Sequence, residues 1–187
     1  MTAAMAEVRS SPVKSGTEMS GSRFSTQPER KVRMSKAAHE LVLNRLIDAA
    51  PNAVFRCWTE PALLKQWFAP APFTTPTAEV ELRVGGSNMI VMQAPDGQEI
   101  PCPGTYLEIV PGKKLVFTDA YTGDWLPREG KPFMTVVITF EEEAGKTRYI
   151  ARVRHWTDED LKTHEQMGFH QGWAQCADQL EALARTL

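Results

Sequence analysis

The sequence predicts an α+β domain in which a curved antiparallel sheet of about six to seven strands wraps around a long C-terminal helix. From residue 79 to residue 155, apolar and polar side chains alternate in several segments, which is typical of antiparallel strands with one solvated face. Residues 157–187 instead place apolar side chains at steps of three and four, the period of a helix. Because a sheet with one apolar face must cover it, we expect this long helix to lie across the sheet and enclose a cavity.

The predicted terminal helix carries its apolar side chains on one stripe. The members of the stripe are Phe169, Gly172, Trp173, Cys176, Leu180 and Leu183. Thr157 followed by Asp158, Glu159 and Asp160 predicts the start of the helix, since a capping hydroxyl and acidic residues suit a helix N-terminus. Gly168 and Gly172 on this helix have two explanations of equal weight, room for a ligand or close packing of helix on sheet.

The remaining elements are predicted from turn residues and proline positions. A first strand is predicted at 39–47, and two short helices follow it at 53–58 and 61–67. The proline-rich connection 69–76 is predicted to exclude a helix or a central strand. The first strand that follows is predicted at 79–84, where Val80, Leu82 and Val84 alternate with polar residues. This strand and the later ones are separated by the turn pairs Gly85-Gly86, Asp96-Gly97 and Pro111-Gly112, and by a long loop at 121–132.

Charge and composition divide the chain into a tail, residues 1–37, and one domain, residues 38–187. Residues 1–36 contain 7 Lys/Arg and 3 Asp/Glu out of totals of 21 and 23, so the tail carries +4 and the remainder (14 against 20) carries −6. The tail is rich in Ser, Thr, Pro and Gly and is predicted to be disordered, because it cannot bury enough apolar surface to offset its ordering entropy.

The same counts bear on partners and location. The formal net charge of −2 gives no reason to expect nucleic acid or an anionic membrane surface as a partner. No apolar run is long enough to predict a membrane span. Three widely spaced cysteines predict reduced thiols, so the expected location is the cytoplasm.

The sequence contains no strong catalytic or metal motif. His164, Glu165 and His170 have the wrong spacing for a helical zinc site, so no metal and no cofactor are predicted, and both histidines are interpreted as solvated or rim residues. Cys102 lies between two prolines and is interpreted as a structural loop cysteine, whereas Cys57 and Cys176 are interpreted as core residues. No paired carboxylates and no nucleophile–base pair stand out, which favours a binding protein over an enzyme.

His155 is the most informative polar residue of the predicted strands. Alternation places it on the apolar, inward face near the helix start, where Tyr121, Trp125 and the helix aromatics are expected to converge. There it either orients a ligand or acts as a general base, or it is a core histidine bonded to backbone or an exposed strand end. Aromatic and methionine side chains around it either form plain core or line a cavity. The residues predicted to line the cavity are Trp67, Met92, Tyr121, Trp125, His155, Phe169 and Trp173.

A series of short motifs resembles one known family in order and spacing. They are Arg45 with Ala50-Pro51, Val54-Phe55-Arg56-x-Trp58, Pro61-x-Leu63-x-x-Trp67, Arg83-Val84-Gly85-Gly86, Gly104-x-Tyr106-x-Glu108-Ile109-x-Pro111 before Leu115-Val116-Phe117, and Met167-Gly168-Phe169-x-x-Gly172-Trp173. Through them, residues 40–187 resemble the bacterial single-domain members of the Activator of Hsp90 ATPase homologue family, in the START-like, helix-grip superfamily. The resemblance implies an antiparallel sheet of the seven-strand type around the C-terminal helix, with an interior pocket.

Three functions are compatible with this resemblance, because a fold alone does not decide an activity. The first hypothesis is non-enzymatic binding of a hydrophobic or amphipathic small molecule between the sheet and the C-terminal helix. The second is a co-chaperone-like interaction with Hsp90, although the separate N-terminal domain of the eukaryotic co-chaperones is replaced here by a short polar tail. The third is a cyclase or hydrolase that uses the same pocket.

Overall fold

The computed structural model describes residues 39–187, and the tail predicted to be disordered lies outside the described residues. The helices are α1 (Pro51–Thr59), α2 (Pro61–Leu64), α3 (Asp158–Gln166) and α4 (Phe169–Ala184). The strands are β1 (Glu40–Ile47), β2 (Thr74–Val80), β3 (Ser87–Gln93), β4 (Glu99–Val110), β5 (Lys114–Thr118), β6 (Tyr121–Thr122), β7 (Leu126–Pro127), β8 (Met134–Glu143) and β9 (Lys146–His155). The predicted α+β class and the two short helices after the first strand are confirmed.

Seven of the strands form one antiparallel sheet in the order β1-β9-β8-β5-β4-β3-β2. The first strand of the sheet pairs with the last along its whole length, from Glu40 opposite Arg154 to Ile47 opposite Thr147. Strands β6 and β7 form a separate two-stranded ribbon. The predicted helix-grip arrangement, a large antiparallel sheet with a C-terminal helix, is therefore confirmed.

The buried face of the sheet follows the alternation that the sequence predicts. Along β9 every second residue, from Thr147 to His155, is buried, and the residues between them are more exposed. The C-terminal half of α4 adds Leu180 and Ala184, which are 0% and 2% exposed. Helix α1 contributes Phe55, whose ring meets Phe140 of β8 edge to face at 5.7 Å. This part of the molecule is a closed apolar core.

The prediction of a single long terminal helix at 157–187 is wrong, because the chain forms two helices, α3 and α4, with a break at Met167–Gly168. Gly168 has φ +89°, a left-handed conformation that glycine adopts without the steric cost of a Cβ atom. Its N–H donates to the carbonyl of Glu165, which ends α3 in the manner of a glycine C-cap. Gly168 therefore ends one helix and precedes the next.

Strand β2 also differs from its prediction. The expected strand around Leu82 and Val84 lies outside the sheet, and both side chains are about half exposed. Strand β2 instead begins at Thr74 and includes Pro76, which was predicted to exclude a central strand. The sheet accommodates this proline because β2 is an edge strand and its register shifts between Thr74 and Thr77.

Candidate functional site

A cavity of about 410 Å³ lies between the N-terminal half of α4 and the sheet. One group of wall residues is aromatic: Trp58, Trp67, Phe68, Phe117, Phe169 and Trp173. A second group is aliphatic: Ile90, Met92, Ile100, Met134 and Val136. The volume falls within the roughly 300–1,000 Å³ typical of small-molecule sites, and such sites are mostly apolar with a few polar groups.

The structure brings four of the seven predicted cavity residues together. Trp67, Met92, Phe169 and Trp173 all line the cavity. Their spacing in the sequence gave the correct faces, since Phe169 and Trp173 are one helical turn apart on α4. A ligand-binding role for these four remains a prediction.

The other three predicted residues, Tyr121, Trp125 and His155, do not line the cavity. Tyr121 lies in β6 and Trp125 in the 3-10 turn (Gly123–Trp125) that joins β6 to β7, and the centroids of their rings are 6.0 Å apart. The Trp125 indole packs on Gly85, where a Cβ atom would lie only 2.9 Å from Nε1. This contact holds the ribbon against the turn before β3, outside the cavity, and the sequence alone gave no sign of it.

The aromatic end of the cavity is held by packing and by one buried hydrogen bond. The rings of Trp58 and Trp67 meet edge to face at 4.7 Å, and Trp58 also meets Phe68 at 6.1 Å. The indole N–H of Trp67 donates to the carbonyl of Cys57 at 2.9 Å. Because these rings fix one another, the wall keeps its shape when no ligand is bound.

Gly172 faces the cavity from α4, and the space around it decides between the two explanations that its sequence position allows. A Cβ atom at Gly172 would meet one atom within 4 Å, the Cγ of Pro70 at 3.9 Å. Close packing of helix on sheet would have placed several atoms nearer than this. The glycine therefore adds open volume to the cavity, which favours the explanation that it leaves room for a ligand.

Two histidines close one end of the site. His155 Nε2 and His164 Nδ1 are 2.9 Å apart in a buried hydrogen bond, and the ring of Phe133 contacts both imidazoles at 5.4 Å. His164 lines the cavity, whereas His155 lies behind it and is 6% exposed. His155 is on the inward face as predicted, but it contacts another histidine and Phe133 in place of Tyr121 and Trp125.

The interpretation of His164 as a solvated or rim residue is wrong, because α3 turns back at Gly168 and carries His164 against β9. His170, on the other side of the break, is exposed, with 3.7 Å between its Nε2 and a Glu165 oxygen. A sequence signal was available, since a glycine after a helical segment is the usual mark of a helix end.

Both buried histidines are neutral at pH 7. Burial, with a smaller contribution from the neighbouring His155, lowers the pKa of His164 to about 4. Burial also lowers the pKa of His155, against the weaker raising influence of the His39 backbone and of Asp160. The pair therefore offers the cavity hydrogen bonding without charge.

The charged groups of the cavity lie at the same end as the histidine pair. Asp119 follows β5 and accepts hydrogen bonds from the backbone N–H groups of Phe133, at 2.8 Å, and Met134, at 3.1 Å. Arg128 lies in the loop between β7 and β8 and is exposed at the cavity opening. Asp119 thus fixes the entry to β8, while the Arg128 guanidinium remains open to solvent and to the cavity.

Two thiols also line the cavity. Cys102 lies within β4, so its interpretation as a loop cysteine is wrong, and Cys176 lies on α4. Burial raises the pKa of both thiols, that of Cys176 to about 12. Both are therefore protonated at pH 7, and neither is activated as a nucleophile.

Residues 39–187 contain no group of three or more His, Cys, Asp or Glu side chains placed to hold a metal ion. In the same part of the chain, no helix has both the length and the apolar character needed to span a membrane.

Comparison with known families gives a match over most of the domain. The family model described as "Activator of Hsp90 ATPase homolog 1-like protein" matches residues 48–185. No curated protein matches the chain at a significant level.

Several solved structures resemble the chain. A protein from Nitrosomonas europaea is 39% identical, covers 81% of this chain and 97% of its own length, and superposes with a TM-score of 0.77. A protein from Chromobacterium violaceum is 27% identical, with coverages of 77% and 96% and a TM-score of 0.64. The AHSA1 protein from Silicibacter pomeroyi is 26% identical, with coverages of 79% and 98% and a TM-score of 0.60. These similarities extend over the described domain.

Proposed function

The chain belongs to the Activator of Hsp90 ATPase homologue 1-like family, and from this premise we propose that it binds a hydrophobic or amphipathic small molecule in the cavity beneath α4 without transforming it. The observation that carries the proposal is the unfilled space beside Gly172, inside a wall of mutually packed aromatic rings. A protein under no need to hold a guest gains stability by filling such a space with side chains, because interiors pack to crystal-like density.

The polar groups of the site support binding over catalysis. Both cavity thiols are protonated, and the His164–His155 pair contacts aromatic rings with no carboxylate bonded to either imidazole among the described residues. Asp119 uses its oxygens on backbone N–H groups. A general base or nucleophile needs a partner that activates it, and these contacts supply none.

A cavity-filling variant tests the proposal. Gly172→Phe places a ring in the open space, and we expect it to weaken the uptake of the neutral dye Nile red at least about tenfold, since the guest loses its apolar contacts. The measurement is a fluorescence titration against the unchanged protein. Gln171→Phe is the matched control, because it adds the same ring to the same helix at an exposed position. Equal dye affinity in Gly172→Phe and the unchanged protein would refute cavity binding.

An interaction with Hsp90 is the second candidate, favoured by the description of the family model and by the acidic balance of residues 37–187, 14 Lys/Arg against 20 Asp/Glu. The test is stimulation of the ATPase of a bacterial Hsp90 by this chain. An effect that disappears with added salt would support a charge-driven contact, because the Debye length is only about 8 Å at physiological ionic strength. Unchanged ATPase rates would leave the cavity as the candidate site.

A further inference from the structure

Arg128 differs from every other arginine in the described part of the chain. Each of the others has an Asp or Glu oxygen within the 4.0 Å limit of an ion pair: Arg45, Arg56, Arg83, Arg148, Arg152, Arg154 and Arg185. Arg128 has no such partner within residues 39–187. It is also the only one of these arginines that lines the cavity. An unpaired guanidinium therefore stands at the opening of a mostly apolar site.

The carboxylate that lines the same cavity does not neutralise Arg128. Asp119 directs its two oxygens at the backbone N–H groups of Phe133 and Met134, at 2.8 to 3.1 Å. These bonds hold Asp119 at the start of β8, and no ion pair to Arg128 forms within 4.0 Å. Guanidinium groups bind carboxylate and phosphate oxygens through two parallel N–H donors, so Arg128 retains that capacity for a ligand.

His164 supplies a neutral polar contact at the same end. Its Nδ1 is engaged with His155, so Nε2 is the ring nitrogen of this cavity-lining residue that remains for a ligand. In one tautomer of the pair, His155 Nε2 donates to His164 Nδ1, and His164 Nε2 then carries a proton. An anionic ligand group favours this tautomer, because its oxygen accepts the hydrogen bond that the N–H at His164 Nε2 donates.

We propose that the ligand is an amphipathic monoanion whose charged oxygens face Arg128 and His164 and whose apolar body lies against Met92, Phe117 and Trp173. This proposal rests on the function proposed above and specifies the ligand class of the same cavity. The polar side chains of the lining are Asn88, Thr118, Asp119, Arg128, Tyr149 and His164. The charged groups lie near His164, because Phe133 contacts both Asp119 and His164 and the backbone N–H of Arg128 donates to the carbonyl of Ala120, next to Asp119. The aromatic rings of Trp58 and Trp67 form a largely apolar part of the wall. The separation matches a ligand with one charged end and an apolar body.

Three probes with one tail and different head groups test the proposal: decanoate, decanol and decylamine. Isothermal titration of the full chain at pH 7 and low salt should give the tightest binding for decanoate, about tenfold tighter than decanol, as expected for a hydrogen bond to a charged group. Decylamine should bind most weakly. Added salt should reduce the preference for decanoate, because Arg128 is exposed.

Charge variants identify the residue responsible. Arg128→Gln should remove the preference for decanoate and leave decanol binding unchanged. Arg128→Lys should keep most of the preference for decanoate. Arg185→Gln is the matched control, since it removes an exposed guanidinium outside the cavity lining and should change nothing. Retained decanol binding in Arg128→Gln shows that the variant is folded.

The outcomes separate this inference from the proposed function. Equal binding of decanoate and decanol, a preference for decylamine, or an unchanged preference in Arg128→Gln would overturn the anionic ligand and leave cavity binding intact. A preference for decylamine would mean that the carboxylate of Asp119, and not the guanidinium of Arg128, determines which head group binds. Failure of all three probes to bind would contradict both proposals.

Discussion

The two halves of helix α4 face the same sheet, yet one half is packed and the other is hollow. In the C-terminal half, Leu180 and Ala184 are almost completely buried against the core that β1, β9 and α1 share. In the N-terminal half, Gly172, Trp173 and Cys176 border about 410 Å³ of open volume. The same apolar stripe of α4 thus packs into the core at one end and borders the cavity at the other. The size of the side chains along the stripe decides where the core ends and the cavity begins.

The packed half should respond most strongly to truncation. Leu180→Ala removes a side chain that is 0% exposed, and we expect the free energy of unfolding to fall by about 2–5 kcal/mol. Trp173 lies in the other half of α4, beside space that is already open. Trp173→Ala should therefore lower the free energy of unfolding by less than the larger size of its side chain suggests. Urea denaturation of both variants measures the difference. A greater loss for Trp173→Ala would show that the hollow half carries the stability.

Acid should weaken the hollow half through the histidine pair. The folded-state pKa of His164 is about 4, below its ordinary value near 6.5, so the unfolded state binds more protons between these values. Stability is therefore complete above about pH 6.5 and is lost as the pH falls toward 4, by about 3 kcal/mol from this group.

His164→Phe provides the comparison, because a ring without a proton site should flatten this part of the pH profile. Denaturant midpoints measured from pH 7 to pH 4 test it. The same slope in both proteins would assign the acid sensitivity to other groups, such as His155, whose pKa is also lowered by burial.

The two glycines of the α3–α4 region should respond in opposite directions. Gly168→Ala forces a Cβ atom into a left-handed conformation, and we expect a loss of about 1–2 kcal/mol. The measurement is the free energy of unfolding together with Nile red affinity, since Met167 and Gly168 both line the cavity. An unchanged stability would mean that the helix break tolerates a non-glycine residue.

Gly172→Ala should have the smallest effect and the opposite sign. The position is helical and a Cβ atom meets only Pro70 at 3.9 Å, so the protein should gain about 0.5–1 kcal/mol from lower unfolded-state entropy. Thermal melting beside Gly168→Ala measures the contrast. A loss of stability would indicate hidden crowding and would weaken the case for open space at this position.

Periodicity predicted the elements well and their junctions poorly. Alternation along β9 placed His155 inside, and the helical period placed Phe169 and Trp173 on one face, because these patterns depend on local geometry. The break at Gly168 depends on a single positive φ, and the prediction followed the surrounding helix-like pattern in preference to the signal that the glycine gave. The prediction therefore joined α3 to α4 and put His164 on the surface.

Long-range contacts explain the remaining differences. Trp125 looked like a cavity residue, but its position depends on the Gly85 turn some forty residues earlier in the chain. Arg128 drew no attention in the sequence, because an arginine in a Gly/Pro loop is ordinary until its neighbours are known. Its significance lies in the absence of a carboxylate partner within residues 39–187, which only three-dimensional placement reveals.

The pairing of β1 with β9 has a consequence for how the protein is made. Residues 40–47 emerge from the ribosome about a hundred residues before their partner strand, residues 146–155. The nascent chain must therefore hold an unpaired strand edge until residues 146–155 have been synthesised, and contacts of such high sequence separation slow folding. Ribosome-bound chains truncated before residue 146 should consequently stay open to proteases that the released protein resists.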